Sequence, residues 1–250
     1  MKLILCLCLI WVAAFNVSSA QSAATNFNKI VPLVHLQESV ERVYVRLDSL
    51  KQVRSGSSIS NVFDRDIDFG FNQVRIKLVL NDVFFAVDII HNKNKICVYD
   101  IRALNYDGQT LSETHFKKVG IDSALINSYL ESRNGFYKSH KDLKALLADI
   151  EYNESYAMYC GDASPETQEG KYIDKLVRGK NTKILINMLQ SISCETQAYG
   201  ITGFKMLLKQ GYQLDNLTPK LIAHIEKRNS PVLTCQGCLD QLLTRLYGER

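Results

Sequence analysis

After its first fifteen residues the sequence has no apolar run that approaches the ~20 residues of a membrane-spanning helix. Nothing of that kind holds residues 21–250 in a bilayer. Charge of one sign is also lacking: 30 Lys and Arg stand against 26 Asp and Glu, a formal +4. The cations are dispersed rather than striped, which argues against a nucleic-acid partner. Histidine is sparse, and His35, His91, His115, His140 and His224 form no ligand pair at helical spacing. There is no G-x-S-x-G, no P-loop, no H-E-x-x-H and no G-x-G-x-x-G. The sequence therefore nominates no catalytic residue, no cofactor site and no metal ligand set.

What is present begins at the N-terminus. Lys2 is followed by an apolar run from Leu3 to Phe15, and Ser18 and Ala20 stand where a small-residue cleavage site wants them. That is the anatomy of a secretory signal peptide, too short to span a bilayer. We expect cleavage after Ala20, a mature chain of 230 residues (250 − 20) and a formal charge of +3 without Lys2. Cys6 and Cys8 follow Leu5 and Leu7, where a lipid-modified cysteine would want a small residue. Composition is ordinary for a soluble globular protein, with 46% hydrophobic and 22% charged residues. Asn153 and Asn216 would be glycan acceptors in a eukaryotic secretory path.

Five cysteines remain after the leader: Cys97, Cys160, Cys194, Cys235 and Cys238. Exported thiols oxidise, so one or two disulfides are expected and an odd thiol is left over. Two bonds among five cysteines can be drawn about 15 ways, so spacing alone does not fix the connectivity.

The clearest periodicity runs from Pro32 to Arg54. Leu33, Leu36, Val40, Val43, Leu47 and Leu50 are spaced 3, 4, 3, 4, 3 and predict one long helix, stopped by Ser55-Gly56. Its flanking positions carry no complementary charge pattern, so a helix lying on a sheet is favoured over a coiled coil. Residues 72–104 read as an antiparallel meander. Val74, Ile76, Leu78 and Leu80 alternate with Arg75, Lys77 and Val79, and turns fall at Asn81-Asp82 and His91–Asn94. Helices capped by Asp122 and Ser139 follow. Residues 153–170 break every period, and the remainder carries helical signal, including a last helix through Leu239, Leu242, Leu243 and Leu246. Helix starts at Thr182 and Thr218, 36 positions apart, suggest either a short HEAT-like stack or a plain four- or five-helix bundle.

Three local motifs invite chemistry. Cys235-Gln-Gly-Cys238 could be a redox pair at a helix start, but no βαβ pattern surrounds it. A structural disulfide, within the pair or out to Cys160, is preferred, and His224 is the nearest partner for a metal. The bond to Cys160 is favoured over the short internal one, because both ends lie in turn-rich backbone and the long loop gains more from a staple. Asp64, Asp66 and Asp68 alternate as in a calcium loop, but Gly70 falls one position late and Arg75 stands where a closing Glu is needed. A strand edge with a wet face is simpler. Cys194 follows Ser193 at a helix start, where a thiolate is favoured, yet no His is adjacent; a buried or bonded thiol is the default.

Asp68-Phe-Gly-Phe-Asn72, Cys160-Gly161 and Cys235-Gln-Gly-Cys238 together resemble an uncharacterised family of secreted bacterial proteins, built as a β-meander with a helical tail that ends in Cys-x-Gly-Cys. The resemblance covers the chain from about residue 60 onward. It implies a bacterial, exported protein and brings no activity, cofactor or catalytic residue.

The expectation is therefore an α+β fold: a long N-terminal helix, an antiparallel meander with helices, and a small all-helical C-terminal domain. The expected divisions are a signal peptide at 1–20, an α+β domain at 21–155 and a helical domain at 156–250. The expected function is that of a secreted or periplasmic, non-catalytic protein-binding or scaffold protein, with another protein as its partner. The alternatives are a thiol–disulfide protein using Cys235 and Cys238, or a hydrolase whose residues meet only in the fold.

Overall fold

A computed structural model describes residues 22–53, 57–106, 111–152, 154–237 and 239–248. The expected signal peptide, the expected helix stop at Arg54-Ser55-Gly56, Asn153 and Cys238 lie outside the described residues. The fold is α+β, with a five-stranded antiparallel sheet, a separate two-stranded hairpin and eight helices among the described residues. The chain divides into two compact units: residues up to Asp64 with Val74–Ser123, and Arg65–Gln73 with Ala124–Arg250. Residues 156–250 all fall in the second unit, which also takes in the two preceding helices and the tip of one hairpin.

In the first unit the strands follow in sequence order, β1 (Ser58–Asp66), β2 (Phe71–Leu80), β3 (Val83–Asn92), β4 (Lys95–Tyr106) and β5 (Leu111–Ile121). β2–β3 and β3–β4 close with two-residue turns whose residues are both left-handed: Asn81 and Asp82 (φ 50° and 63°), then Lys93 and Asn94 (φ 46° and 66°). Such turns match the twist of the flanking strands, and Asn and Asp tolerate the conformation. Pairing places Phe85 opposite Ala103 and Val87 opposite Ile101. One sheet face is apolar through Val74, Ile76, Leu78, Phe85, Val87, Ile89 and Ile101. It is covered by helix α1 (22–30) and helix α2 (Val40–Asp48), which bury Phe27, Ile30, Val43 and Leu47. The alternate positions carry a buried ionic row. Arg75 bonds Asp88 (2.6 Å), Arg102 bonds Asp88, and Arg102 lies 3.2 Å from Asp100.

The single long helix expected over Pro32–Arg54 is not formed. A 3-10 turn at Val31–Leu33 precedes an extended break, α2 begins after it, and a second 3-10 turn follows at Ser49–Val53. Gln37 is left-handed (φ 63°), and residues 37 and 38 exchange backbone hydrogen bonds with Ile96 on β4. Ser39 then starts a new helix by accepting from the Arg42 N–H. The bonds gained at the sheet displace the helical path, although the apolar spacing survives on both sides of the break.

The second unit contains α3 (Ser123–Tyr137), α4 (Leu143–Glu151), α5 (Gln168–Arg178), α6 (Thr182–Leu189), α7 (Cys194–Lys209) and α8 (Thr218–Arg228). α4 is capped by Asp142 rather than Ser139, whose hydroxyl donates to Asn134. Asn181 caps α6 and Ser193 caps α7. Pro219 stands in the first turn of α8, and α7 runs out just before left-handed Gly211 (φ 79°). α6 and α7 approach closely because Gly203 has no side chain: a Cβ there would lie 2.5 Å from Leu185. The core gathers Tyr137, Ile173, Leu176, Leu185, Leu189, Phe204, Leu221 and Ile225.

The unit is not all-helical. After α8 the chain forms a hairpin, β6 (Val232–Gln236) with β7 (Leu239–Thr244), where a last helix was expected. The leucines at 239, 242 and 243 fit both periods, and the run Pro231-Val-Leu-Thr leads straight into β6. α8 is therefore followed by strands, so the two-helix repeat suggested by Thr182 and Thr218 is not completed. Cys235 lies in β6 instead of opening a helix and is bonded to Cys160, 75 positions away in sequence, with Cα atoms 5.6 Å apart. Segment 156–161 runs beside this hairpin: Tyr156 N–H donates to Leu233 O and Gly161 N–H to Gly237 O, both at 2.7 Å.

Candidate functional site

The tip between β1 and β2 carries the Asp68-Phe-Gly motif, and its backbone is unusual. Asp68, Phe69 and Gly70 are all left-handed, at φ 87°, 56° and 78°. Only the glycine adopts this freely; each of the other two costs about 1–2 kcal/mol. Local bonds hold the turn. Asp68 N–H donates to Asp66 Oδ1 (2.6 Å), Phe71 N–H to Asp68 O (3.0 Å) and Ile67 N–H to Phe71 O (2.9 Å).

The strain is held by a buried charge cluster. The Asp68 carboxylate, 3% exposed, accepts from the Tyr137 hydroxyl (2.7 Å), lies 2.8 Å from His224 Nε2 and is paired with Arg228. Burial opposes its ionisation, but the Arg228 charge and the bonds from Tyr137 and His224 outweigh it, so its pKa is held below the usual carboxylate range. Burial pushes the Tyr137 phenol up, which keeps it a donor. Arg133 stacks 4.2 Å over the Tyr137 ring and donates to the carbonyls of Gln190 and Ser191. Arg228 donates in turn to Gln197 Oε1 (2.5 Å).

A second buried pair ties down the other end of the tip. Arg65 meets Glu195 in two bonds, at 2.5 and 3.0 Å, both side chains 1% exposed. Gln73 accepts from Arg65, and Glu195 also accepts from Leu233 N–H (2.9 Å). Burial raises the Glu195 pKa, yet Arg65 overrides it and the group sits low. Glu195 is in the first turn of α7, where the helix dipole also favours an anion.

Above this buried floor lies an exposed aromatic patch. Phe69 is 41% exposed and Phe136 38%, large values for phenylalanine. Their ring centroids are 6.0 Å apart, and the Phe136 ring lies 4.4 Å from the His224 imidazole. His224 is itself one-third exposed. Phe69 is therefore pushed outward by a backbone that the buried clamp keeps fixed.

The residues singled out by sequence separate here. Asp64 lies 3.7 Å from His91, Asp66 accepts from the tip backbone, and Asp68 faces the Arg228 cation, an imidazole and a phenol, so the three acids are used singly. No group of His, Cys, Asp and Glu suited to a metal occurs among the described residues. Cys160 and Cys235 are bonded to each other, so Cys235 is not half of a free dithiol. Cys194 is buried, with its sulfur 3.8 Å from Arg228. Among the described residues no serine, threonine or cysteine hydrogen-bonds His224. Cys97 is a buried free thiol whose pKa is raised by burial. His224, Arg228, Tyr137 and Phe136 have no sequence signal tying them to Asp68; His224 and Arg228 lie 156 and 160 positions away.

No family model, curated protein or solved structure matches the chain. Among the described residues no helix is long and apolar enough to cross a membrane.

Proposed function

We propose that the protein is an exported, non-catalytic binding protein that engages a partner protein through Phe69, Phe136 and His224. One observation carries the reading: exposed Phe69, on a strained tip tied to a buried ion-pair cluster, stands 6.0 Å from exposed Phe136 on α3, so that the two rings form one aromatic patch. Strained backbone persists where its surroundings over-determine it, and such sites concentrate where recognition happens. Rigid, exposed aromatic anchors lose little entropy on docking and dominate many protein interfaces. The Cys160–Cys235 bond and the leader-like residues 1–20 support an oxidising compartment outside the cytosol. Asp68 supports a positioning role over a basic one, because its charge is committed to Arg228 and its pKa is low.

The test is co-purification from the envelope fraction of a producing bacterium, comparing wild type with Phe69→Ser/Phe136→Ser. Both side chains are exposed, so the variant should keep its thermal midpoint. A partner retained by wild type and lost from the variant is the expected result. A partner retained equally by both would refute the patch as the contact surface.

A further inference from the structure

A cavity elsewhere in the second unit points to a different ligand. A cavity of about 690 Å³ opens where the loop after α3, the first turn of α6 and the segment before α8 come together. That volume falls in the range of small-molecule sites. Phe204, Ile186 and Tyr212 supply apolar lining, and Phe204 is almost fully buried.

The rim is cationic. Lys138 and Lys183 line it, and their ammonium groups have no ion-pair partner among the described residues; His140 lines it beside them. Lys141 also lines it but lies 3.4 Å from Asp149, which balances its charge. The single lining carboxylate, Asp215, stays anionic and is oriented toward the start of α8. It accepts from the N–H groups of Leu217 (3.0 Å) and Thr218 (2.7 Å), and these bonds hold its pKa low. Lys138, Lys141 and Lys183 against the one carboxylate of Asp215 leave the lining net positive, and a cleft with an excess of one sign concentrates the opposite ion.

The cations are also placed, not merely present. Lys138 is left-handed (φ 53°), and its carbonyl accepts from Gln190 Nε2 (3.2 Å). Asn134 fixes the following loop by accepting from Ser139 Oγ (2.7 Å) and Lys141 N–H (2.9 Å). Lys183 sits in the first turn of α6, whose N-terminal dipole adds to the positive potential.

We infer that this cavity binds a small organic anion, its charged head between Lys138 and Lys183 and its apolar body against Phe204 and Tyr212. The site does not depend on the aromatic patch, so either can fail alone.

The probe is phenyl phosphate, titrated calorimetrically into the full mature chain, with inorganic phosphate and neutral benzyl alcohol as comparators. Phenyl phosphate should bind at least about tenfold more tightly than either comparator. Lys138→Gln/Lys183→Gln, two exposed positions, should weaken it about tenfold or more, while Lys209→Gln on the far end of α7 leaves it unchanged. Raising the salt concentration should weaken wild-type binding and have little effect on the double variant. Absence of binding at millimolar phenyl phosphate, or equal binding by wild type and the double variant, would overturn the inference. Tighter binding of benzyl alcohol than of phenyl phosphate would overturn the anionic assignment.

Discussion

Asp68 shows how one side chain can hold a strained turn. It accepts from Tyr137, lies against His224 and balances Arg228, all while buried. Removing the carboxylate leaves Arg228 as a buried, unpaired charge, which typically costs 3–5 kcal/mol. Asp68→Ala should therefore lower stability by about 3 kcal/mol in urea unfolding; a change under about 1 kcal/mol would show that the pair contributes little. The pH dependence follows from the same groups. Asp68 and Glu195 both have folded pKa values below their ordinary ones. The unfolded carboxylates take up protons near pH 4, and the folded ones at lower pH. The stability they supply is thus complete above that range and is lost as pH falls through the folded values. Unfolding free energy should decline steeply below about pH 4 in wild type and more gently in Asp68→Asn. Parallel declines would show that Asp68 does not contribute to the acid sensitivity.

At the scale of elements, the sheet was the most legible part of the sequence. Alternation from Val74 to Leu78 and turn residues at Asn81-Asp82 encode β2, β3 and their connection locally. The apolar stripe of residues 33–50 correctly marks a core-facing segment, since Val43 and Leu47 are fully buried, but it does not encode continuity. The break at Gln37 is made by hydrogen bonds to Ile96, 59 positions away, and no local window contains that information. The terminal hairpin was hidden for a related reason: spaced leucines satisfy a helix as readily as a strand until Tyr156 and Cys160 are seen beside it. Val43→Asp should destabilise the first unit by several kcal/mol, because it places an unpaired charge among Val74, Ile76 and Phe85. A variant melting with the parent would contradict the burial. In the second unit, Gly203→Val should also destabilise, since a side chain there meets Leu185; an unchanged melting temperature would mean that α6 and α7 can separate without cost.

At the scale of the molecule, a staple and a clamp act on the same unit. The Cys160–Cys235 bond closes a long loop, for which chain entropy alone gives about 4 kcal/mol. Cys160→Ser/Cys235→Ser should lower stability by up to that amount, and reduction of wild type should match the double variant; no difference would show that the loop ends are held together without the bond. The sequence pointed from Cys160 to the Cys235/Cys238 region, and the bond is made to Cys235; the expectation that both ends lie in turn-rich backbone fails at Cys235, which is in β6. The candidate site was only half readable. Asp68-Phe-Gly-Phe drew notice as a motif, whereas its partners on α3 and α8 are brought to it by the fold alone.

The most direct test of that site is a photoreactive phenylalanine analogue at position 69, irradiated in producing cells. The account predicts one discrete cross-linked protein, absent when the analogue replaces Leu208, an equally exposed apolar residue on α7, and reduced when Phe136 is changed to Ser. Cross-linking at position 69 no greater than at position 208 would contradict it.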